Sequence, residues 1–171
     1  MMCGITGTPG TGKSSVACIL AARGHRVVHL AETYGAYITG RDEERDTLIV
    51  DEERWAAEFP HVDGFVEGHL AHLLPCDLVI VLRCGPDVLR SRLERRGYRD
   101  EKIEENVEAE ALDLILIEAL EERGEEAIHE VDTTSITPEE AADIIEMVTS
   151  GKMKRSFGSR DWSRFLSGER S

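Results

Sequence analysis

The sequence predicts a three-layer α/β fold, five parallel strands with helices on both faces, and three observations predict it. Strand-length apolar stretches alternate with stretches of helical period over residues 1–149, joined by short connections, which is the pattern of a parallel sheet covered on both sides. Residues 78–82 (LVIVL) form a continuous apolar run, as expected of a strand buried on both faces. A glycine-rich stretch, residues 7–14 (GTPGTGKS), lies between the first expected strand and the first expected helix.

Residues 1–6 are the first strand. Residues 14–22 place Val16, Ala17, Ile19 and Leu20 on one helical face, and Gly24 ends that helix. Residues 26–30 are a second strand. Residues 31–50 are polar and rich in charge, which predicts a short helix plus a mobile segment. A helix over 52–59 and a strand over 64–67 follow. After the apolar strand, Pro86 opens a helix through 95, and one long helix is expected over 102–123, closed by Gly124. Residues 127–132 form the last strand. Thr137, Pro138 and Glu140 make a capping box that starts the final helix, to about 149.

A chain of 171 residues suits one domain with a core of its own. No uncharged stretch approaches the ~20 apolar residues that span a bilayer, and the first basic residue follows the uncharged N-terminal stretch instead of preceding it, so a cytoplasmic protein without membrane contact is expected. The four cysteines (Cys3, Cys18, Cys76, Cys84) are scattered and read as packing residues, not as a zinc site or disulfide framework. A net charge of −14 argues against binding nucleic acid by phosphate neutralisation alone. The charge is uneven. Residues 150–171 hold six basic side chains against two acidic ones, so this tail is +4 and looks separable from the domain before it. Trp162 and Phe165 sit among Arg160 and Arg164, a pattern that fits either a basic partner-binding or RNA-binding surface or a dispensable terminus.

Residues 7–14 match G-x-x-x-x-G-K-[ST] in the strand-to-helix context that gives the motif its meaning. Glycines allow the backbone to wrap a phosphate closely, backbone N–H groups and the helix N-terminus supply a positive field, Lys13 reaches β- and γ-phosphates, and the Ser14 hydroxyl is placed for Mg²⁺. The fold is therefore expected to be the P-loop NTPase fold, with ATP and Mg²⁺ bound. A GTPase is disfavoured, because the single Asn, Asn106, precedes Val107 and no Gln exists to orient a water. Glu67 and His69 follow the apolar Phe65 and Val66. A carboxylate there can hold Mg²⁺ or its water, and His69 can orient water or phosphate. His72 is read as structural. Arg92, Arg95, Arg96 and Arg99 crowd around Gly97 and Tyr98, as a closing lid requires.

These segments in this order, the P-loop, residues 47–52 (TLIVDE), Glu67-Gly68-His69, Val81-Leu82-Arg83, and Arg96-Gly97-Tyr98 with Asn106, resemble the adenylate kinase isoenzyme 6 family in its archaeal branch. The resemblance covers about residues 1–149. It implies nucleotide binding by Gly10, Gly12, Lys13, Ser14 and Ser15 of the P-loop and by Arg96 of the lid. It also implies a monophosphate-binding region near 29–50 and a short lid near 95–105. No Arg lies between Val27 and Gly40, so Arg41 and Arg45 are the candidates for the monophosphate. The implied activity is a broad-specificity monophosphate kinase (ATP and AMP to two ADP) with intrinsic ATPase. The implied setting is late maturation of the small ribosomal subunit, with a transient small-subunit platform ribosomal protein and the pre-30S particle as partners. On this reading Lys13, Glu67, His69 and Arg96 are catalytic, with Ser14 and Glu67 toward Mg²⁺. Two rivals stand beside it: a purely metabolic phosphotransferase, and a P-loop kinase for a metabolite that is not a nucleotide.

Overall fold

The computed structural model describes residues 1–43 and 47–166. Five parallel strands, β1 (Met2–Thr6), β2 (Val27–His29), β5 (Gly64–Glu67), β6 (Leu78–Arg83) and β7 (Ile128–Asp132), form one sheet in the order β2-β5-β1-β6-β7. Successive residues of β6 feed opposite faces. Leu78, Ile80 and Leu82 pack with α1 (Lys13–Ala22) and α6 (Pro138–Thr149), through Val16, Leu20, Ala141 and Ile145. Val79 and Val81 pack on the other face with Ile115, Leu116 and Ala119 of α5 (Leu114–Arg123) and Trp55 of α2 (Glu52–Glu58). That period of two makes the three layers. The expected capping box forms: Thr137 Oγ1 accepts the Glu140 N–H and the Glu140 carboxylate accepts the Thr137 N–H.

Three expectations differ from what forms. Residues 31–50 are expected to give a short helix and a mobile segment; the described residues there make two single 3₁₀ turns (Leu30–Glu32, Gly35–Tyr37) and an antiparallel pairing of β3 (Ile38–Asp42) with β4 (Thr47–Val50), while residues 44–46 lie outside the described residues. Ile38, Thr39, Thr47, Ile49 and Val50 are β-branched and suit a pleated surface, which outweighs the charge between the strands. The long helix expected over 102–123 is two: α4 (Asp100–Ala111) and α5, separated by Asp113 in the left-handed region at φ 57°. The break has an identifiable cause. The Arg83 guanidinium donates to the Glu110 carbonyl at 3.1 Å, where a continuing helix would bring the next turn's N–H, and to the Asp113 carboxylate.

The third difference is the basic segment after α6, which charge alone set apart. It folds back over the β7 edge. The Glu130 N–H donates to the Ser156 carbonyl at 2.9 Å, and the Ser156 N–H to His129 Nδ1 at 3.0 Å. Met153 and Phe157 join the two face clusters, while Phe165, in a last short turn α7 (Ser163–Leu166), packs against a third cluster that joins α3 (Pro86–Arg95) to α4 through Leu89, Leu93, Ile103 and Val107. Among the described residues no helix is long and apolar enough to cross a membrane.

Arg83 is 1% exposed at the end of β6 and holds three carboxylates: Nε to Glu110 Oε1 at 2.8 Å, Nη1 to Glu130 Oε1 at 2.6 Å, and Nη2 to Asp113. Removing one partner of a buried ion pair strands the others in low dielectric and typically costs 3–5 kcal/mol. Arg83→Met should therefore lose roughly that much stability at pH 7 in urea unfolding. A loss under ~1 kcal/mol would show that the cluster is wet and dispensable.

Candidate nucleotide site

Parallel strands bring their carboxyl ends to one edge of the sheet, and ligands of open α/β sheets bind there, where the strand order reverses. Here β1 has β5 on one side and β6 on the other, and residues 7–14 leave β1 at that point. Space selects the glycines. A Cβ on Gly7 would lie 2.4 Å from the Leu82 carbonyl oxygen, one on Gly10 would lie 2.7 Å from Leu89 Cδ1, and Gly12 turns into α1 at φ 104°. Lys13 Nζ donates to the Gly7 carbonyl at 2.7 Å and the Thr8 carbonyl at 3.1 Å, so its charge is stored inside the loop. Burial pushes its pKa down to about 8, against the pull of Glu67 and Glu110.

Strand register assembles the acidic side. Ile5 of β1 and His29 of β2 both pair with Glu67 at the end of β5. The Glu67 carboxylate is therefore held from both flanks: Ser14 Oγ donates to Oε1 at 3.3 Å and His29 Nδ1 lies 2.9 Å from Oε2. Among the described residues no group of three or more His, Cys, Asp or Glu forms a metal site. A hydroxyl and a carboxylate oxygen in contact are nevertheless the hard donors that suit Mg²⁺ arriving with a nucleotide, which needs only one or two protein oxygens. His69 lies in the turn after β5. Its carbonyl accepts the Thr6 hydroxyl at 2.8 Å, while the desolvating surround and the Lys13 ammonium lower the pKa of its ring.

On the other side of the P-loop a cavity of about 330 Å³ is lined by Gly10, Gly12 and Ser15, by Arg92, Arg95 and Arg96 from the end of α3, and by Ile136, Thr137 and Pro138. Arg92 is engaged within the protein. It donates to the Thr133 carbonyl at 2.7 Å and hydroxyl at 3.1 Å, and the Thr133 hydroxyl in turn reaches the Thr11 carbonyl at 2.8 Å. Lys13, Ser14 and Glu67 thus converge with His69 nearby, and Arg96 stands with Gly10, Gly12 and Ser15 around the cavity. Arg41 stands apart on β3, opposite Leu48 with an exposed side chain, and Arg45 lies outside the described residues.

Sequence reasoning missed His29, Thr8, Thr133 and Glu110. Only Glu110 carried a signal, since the stripe Ile103, Val107, Glu110, Ala111 puts one acid on the buried face of α4. His72, read as structural, is 2% exposed, with Nδ1 3.2 Å from the Thr6 hydroxyl and Nε2 3.3 Å from Glu118. Burial and the neighbouring His69 push its pKa down to about 4 from 6.5. The unfolded chain then binds this proton more readily, so its contribution is complete above pH 6.5 and is lost as pH falls toward 4. Urea unfolding of wild type and His72→Gln at pH 7 and pH 4.5 should show a shallower acid loss in the variant, by on the order of 2 kcal/mol. Equal losses would show that His72 takes its proton in the folded state as easily as in the unfolded one.

A family model described as an AAA domain matches residues 3–113. A protein of Archaeoglobus fulgidus is 47% identical over 169 residues, covering 95% of this chain and 92% of the relative. One of Methanothermobacter thermautotrophicus is 47% identical over 173 residues, covering 98% and 100%. The solved structure of deoxyadenosine kinase from M. mycoides with dCMP and dCDP superposes with a TM-score of 0.59 at 17% identity, over 90% of this chain and all of that one, which shows a shared fold. The chain carries the AAA-domain P-loop and belongs to the archaeal family whose members bear the name "Putative adenylate kinase".

Proposed function

We propose that this chain is an ATP-dependent nucleoside-monophosphate kinase of adenylate kinase type, converting ATP and AMP to two ADP. The carrying observation is the contact of Ser14 with Glu67 beside Lys13, next to an Arg-lined cavity of nucleotide size. The name shared by its archaeal relatives supports it.

Phosphoryl transfer asks for positioning and charge stabilisation, with no covalent intermediate on the protein. The P-loop N–H groups hold the phosphate chain, and Lys13 exchanges the Gly7 and Thr8 carbonyls for β- and γ-phosphate oxygens. Ser14 and Glu67 would hold Mg²⁺, directly or through water, and the ion's contribution is to neutralise charge building between those phosphates. Arg96, on the cavity wall, offsets charge on the moving phosphoryl. Gly10, Gly12 and Ser15 line the donor side. Arg41 and Arg45 of the 29–50 region are the groups assigned to the monophosphate, and the lid is the 95–105 region. Residues 1–149 carry this kinase unit on our reading.

Intrinsic ATPase activity is a second part of the proposal. Hydrolysis needs a water at the γ-phosphate and no acceptor, and with no Gln in the chain Glu67 and His69 are the groups that can hold one. A role in maturation of the small ribosomal subunit rests on the resemblance of the motifs. The net charge of −14 suits a basic ribosomal protein as transient partner. Co-purification of that protein with the chain, released by ATP, is the observation to seek.

Lys13→Ala should abolish kinase and ATPase turnover together, as either route needs the ammonium at the phosphates. Near-normal rates would sink the site assignment. His69→Ala should lower ATPase by about 10²-fold with a smaller effect on transfer to AMP, and Arg41→Ala with Arg45→Ala should do the reverse. Paired steady-state rates with and without AMP, on one preparation of each variant, decide it. Equal losses in both activities would mean that water handling is not His69's role.

A further inference from the structure

The C-terminal segment reaches the P-loop through buried polar contacts. Glu130 of β7 accepts from the Gly158 N–H and, at 3.3 Å, from the Ser159 N–H, and its other oxygen receives Arg83 Nη1 at 2.6 Å. The Trp162 ring lies over the same guanidinium, 4.8 Å from Cζ to the ring centroid. Arg160 Nε pairs with Asp132 at 3.0 Å and pins the chain between these contacts. Beyond Arg83, Nε donates to Glu110 Oε1 at 2.8 Å, and Glu110 Oε2 accepts the Thr8 hydroxyl at 2.5 Å. Thr8 belongs to the P-loop, and its carbonyl receives Lys13 Nζ.

Every residue on that path between tail and loop is buried: Glu130 is 8% exposed, Arg83 1%, Glu110 2% and Thr8 2%. In a low-dielectric surround such contacts are strong and costly to leave half-made, so the arrangement at one end constrains the other. Glu110 faces two ways. Its Oε1 accepts from Arg83 and from the Cys84 N–H at 3.0 Å and its Oε2 from Thr8, so one carboxylate joins the guanidinium to the loop. The Trp162 ring stacks on the buried Arg83 guanidinium, and such a contact is worth more where water is excluded.

We propose that residues 156–162 are a positioning element of the nucleotide site, acting through Glu130, Arg83 and Glu110 on Thr8 of the P-loop. Docking of this segment and occupation of the loop by a nucleotide are then coupled, and by linkage each favours the other by the same factor. Trp162 is a positioning residue with no contact to the reacting atoms. The inference deepens the nucleotide-site reading and rests on it.

The test measures binding first. Equilibrium calorimetry of ATP binding on wild type, Trp162→Ala and Trp162→Phe should show the Ala variant weakened about 5-fold or more, the low end of ordinary coupling between sites, with Phe restoring most of the affinity. KM for ATP should rise in step while kcat changes less. Thermal unfolding separates this from a stability effect: an Ala variant with a lowered Tm and an unchanged ATP affinity overturns the proposal. If that variant does not fold, amide exchange on the wild type decides. ATP should slow exchange at Gly158 and Ser159 more than at Lys152, whose N–H bonds the Met147 carbonyl away from the cluster. Uniform slowing at all three, or none, overturns it. Wild type that does not bind ATP at all would count instead against the nucleotide-site reading.

Discussion

Arg83 occupies a place that chain folding ordinarily denies to a charge, the last residue of a strand whose six positions are all buried. A guanidinium there is tolerable only when its donors are taken up by carboxylates in fixed positions. Satisfying it settles much else. Glu110 must face inward from α4, the helix must break so that Asp113 can turn back, and Glu130 must present its carboxylate from the middle of β7 beside β6. The price is backbone strain at Asp113, a non-glycine residue with positive φ, on the order of 1–2 kcal/mol, against the several that leaving the buried Arg83 guanidinium short of a partner would cost. The second effect wins, and the helix is broken where propensity alone would continue it.

The same cluster explains why the P-loop sits as it does. Gly7 passes so near the Leu82 carbonyl that no side chain fits, and Thr8, the next residue, is tied to Glu110. The loop is therefore gripped from β6 by sterics and from α4 by a hydrogen bond, while Thr133 bonds the Thr11 carbonyl from the β7 side. Three elements hold it before a phosphate arrives. Preorganised donors stabilise developing charge without reorganising at the moment of reaction, which is the property phosphoryl transfer uses.

How much of this could be read in the sequence follows from the range of the interactions. The P-loop was legible because its signal is local: eight consecutive residues, with strand and helix on either side. The sheet was legible because burial on both faces leaves runs such as residues 78–82. The hairpin over β3 and β4 was not, since the charged residues between its strands masked the β-branched positions. Nor was the break in the long helix, whose cause lies 30 residues earlier in the chain at Arg83. His29 could not be found as a neighbour of Glu67, because only the register of β2 on β5 brings the two together. The tail's charge suggested separateness, yet its apolar residues, Met153, Phe157 and Phe165, decided where it lies.

The two halves of the proposed site are built differently. On the proposed reading the donor side is built from ends of paired strands and a gripped loop, whereas the region proposed for the acceptor includes a two-stranded sheet of its own, β3 with β4, where Ile38, Leu48 and Ile49 are each about half exposed. A hairpin of two strands has little stability of its own. Elements that move on binding come from the low-stability end of a structure, and uncovered apolar side chains give such an element a reason to move, since closing over a bound acceptor buries them. A kinase that must admit a monophosphate, exclude water and then release a diphosphate needs one wall that stays and one that closes. On the proposed reading, the edge of the five-stranded sheet is the wall that stays, and the β3–β4 pair with its exposed apolar residues is the one placed to close.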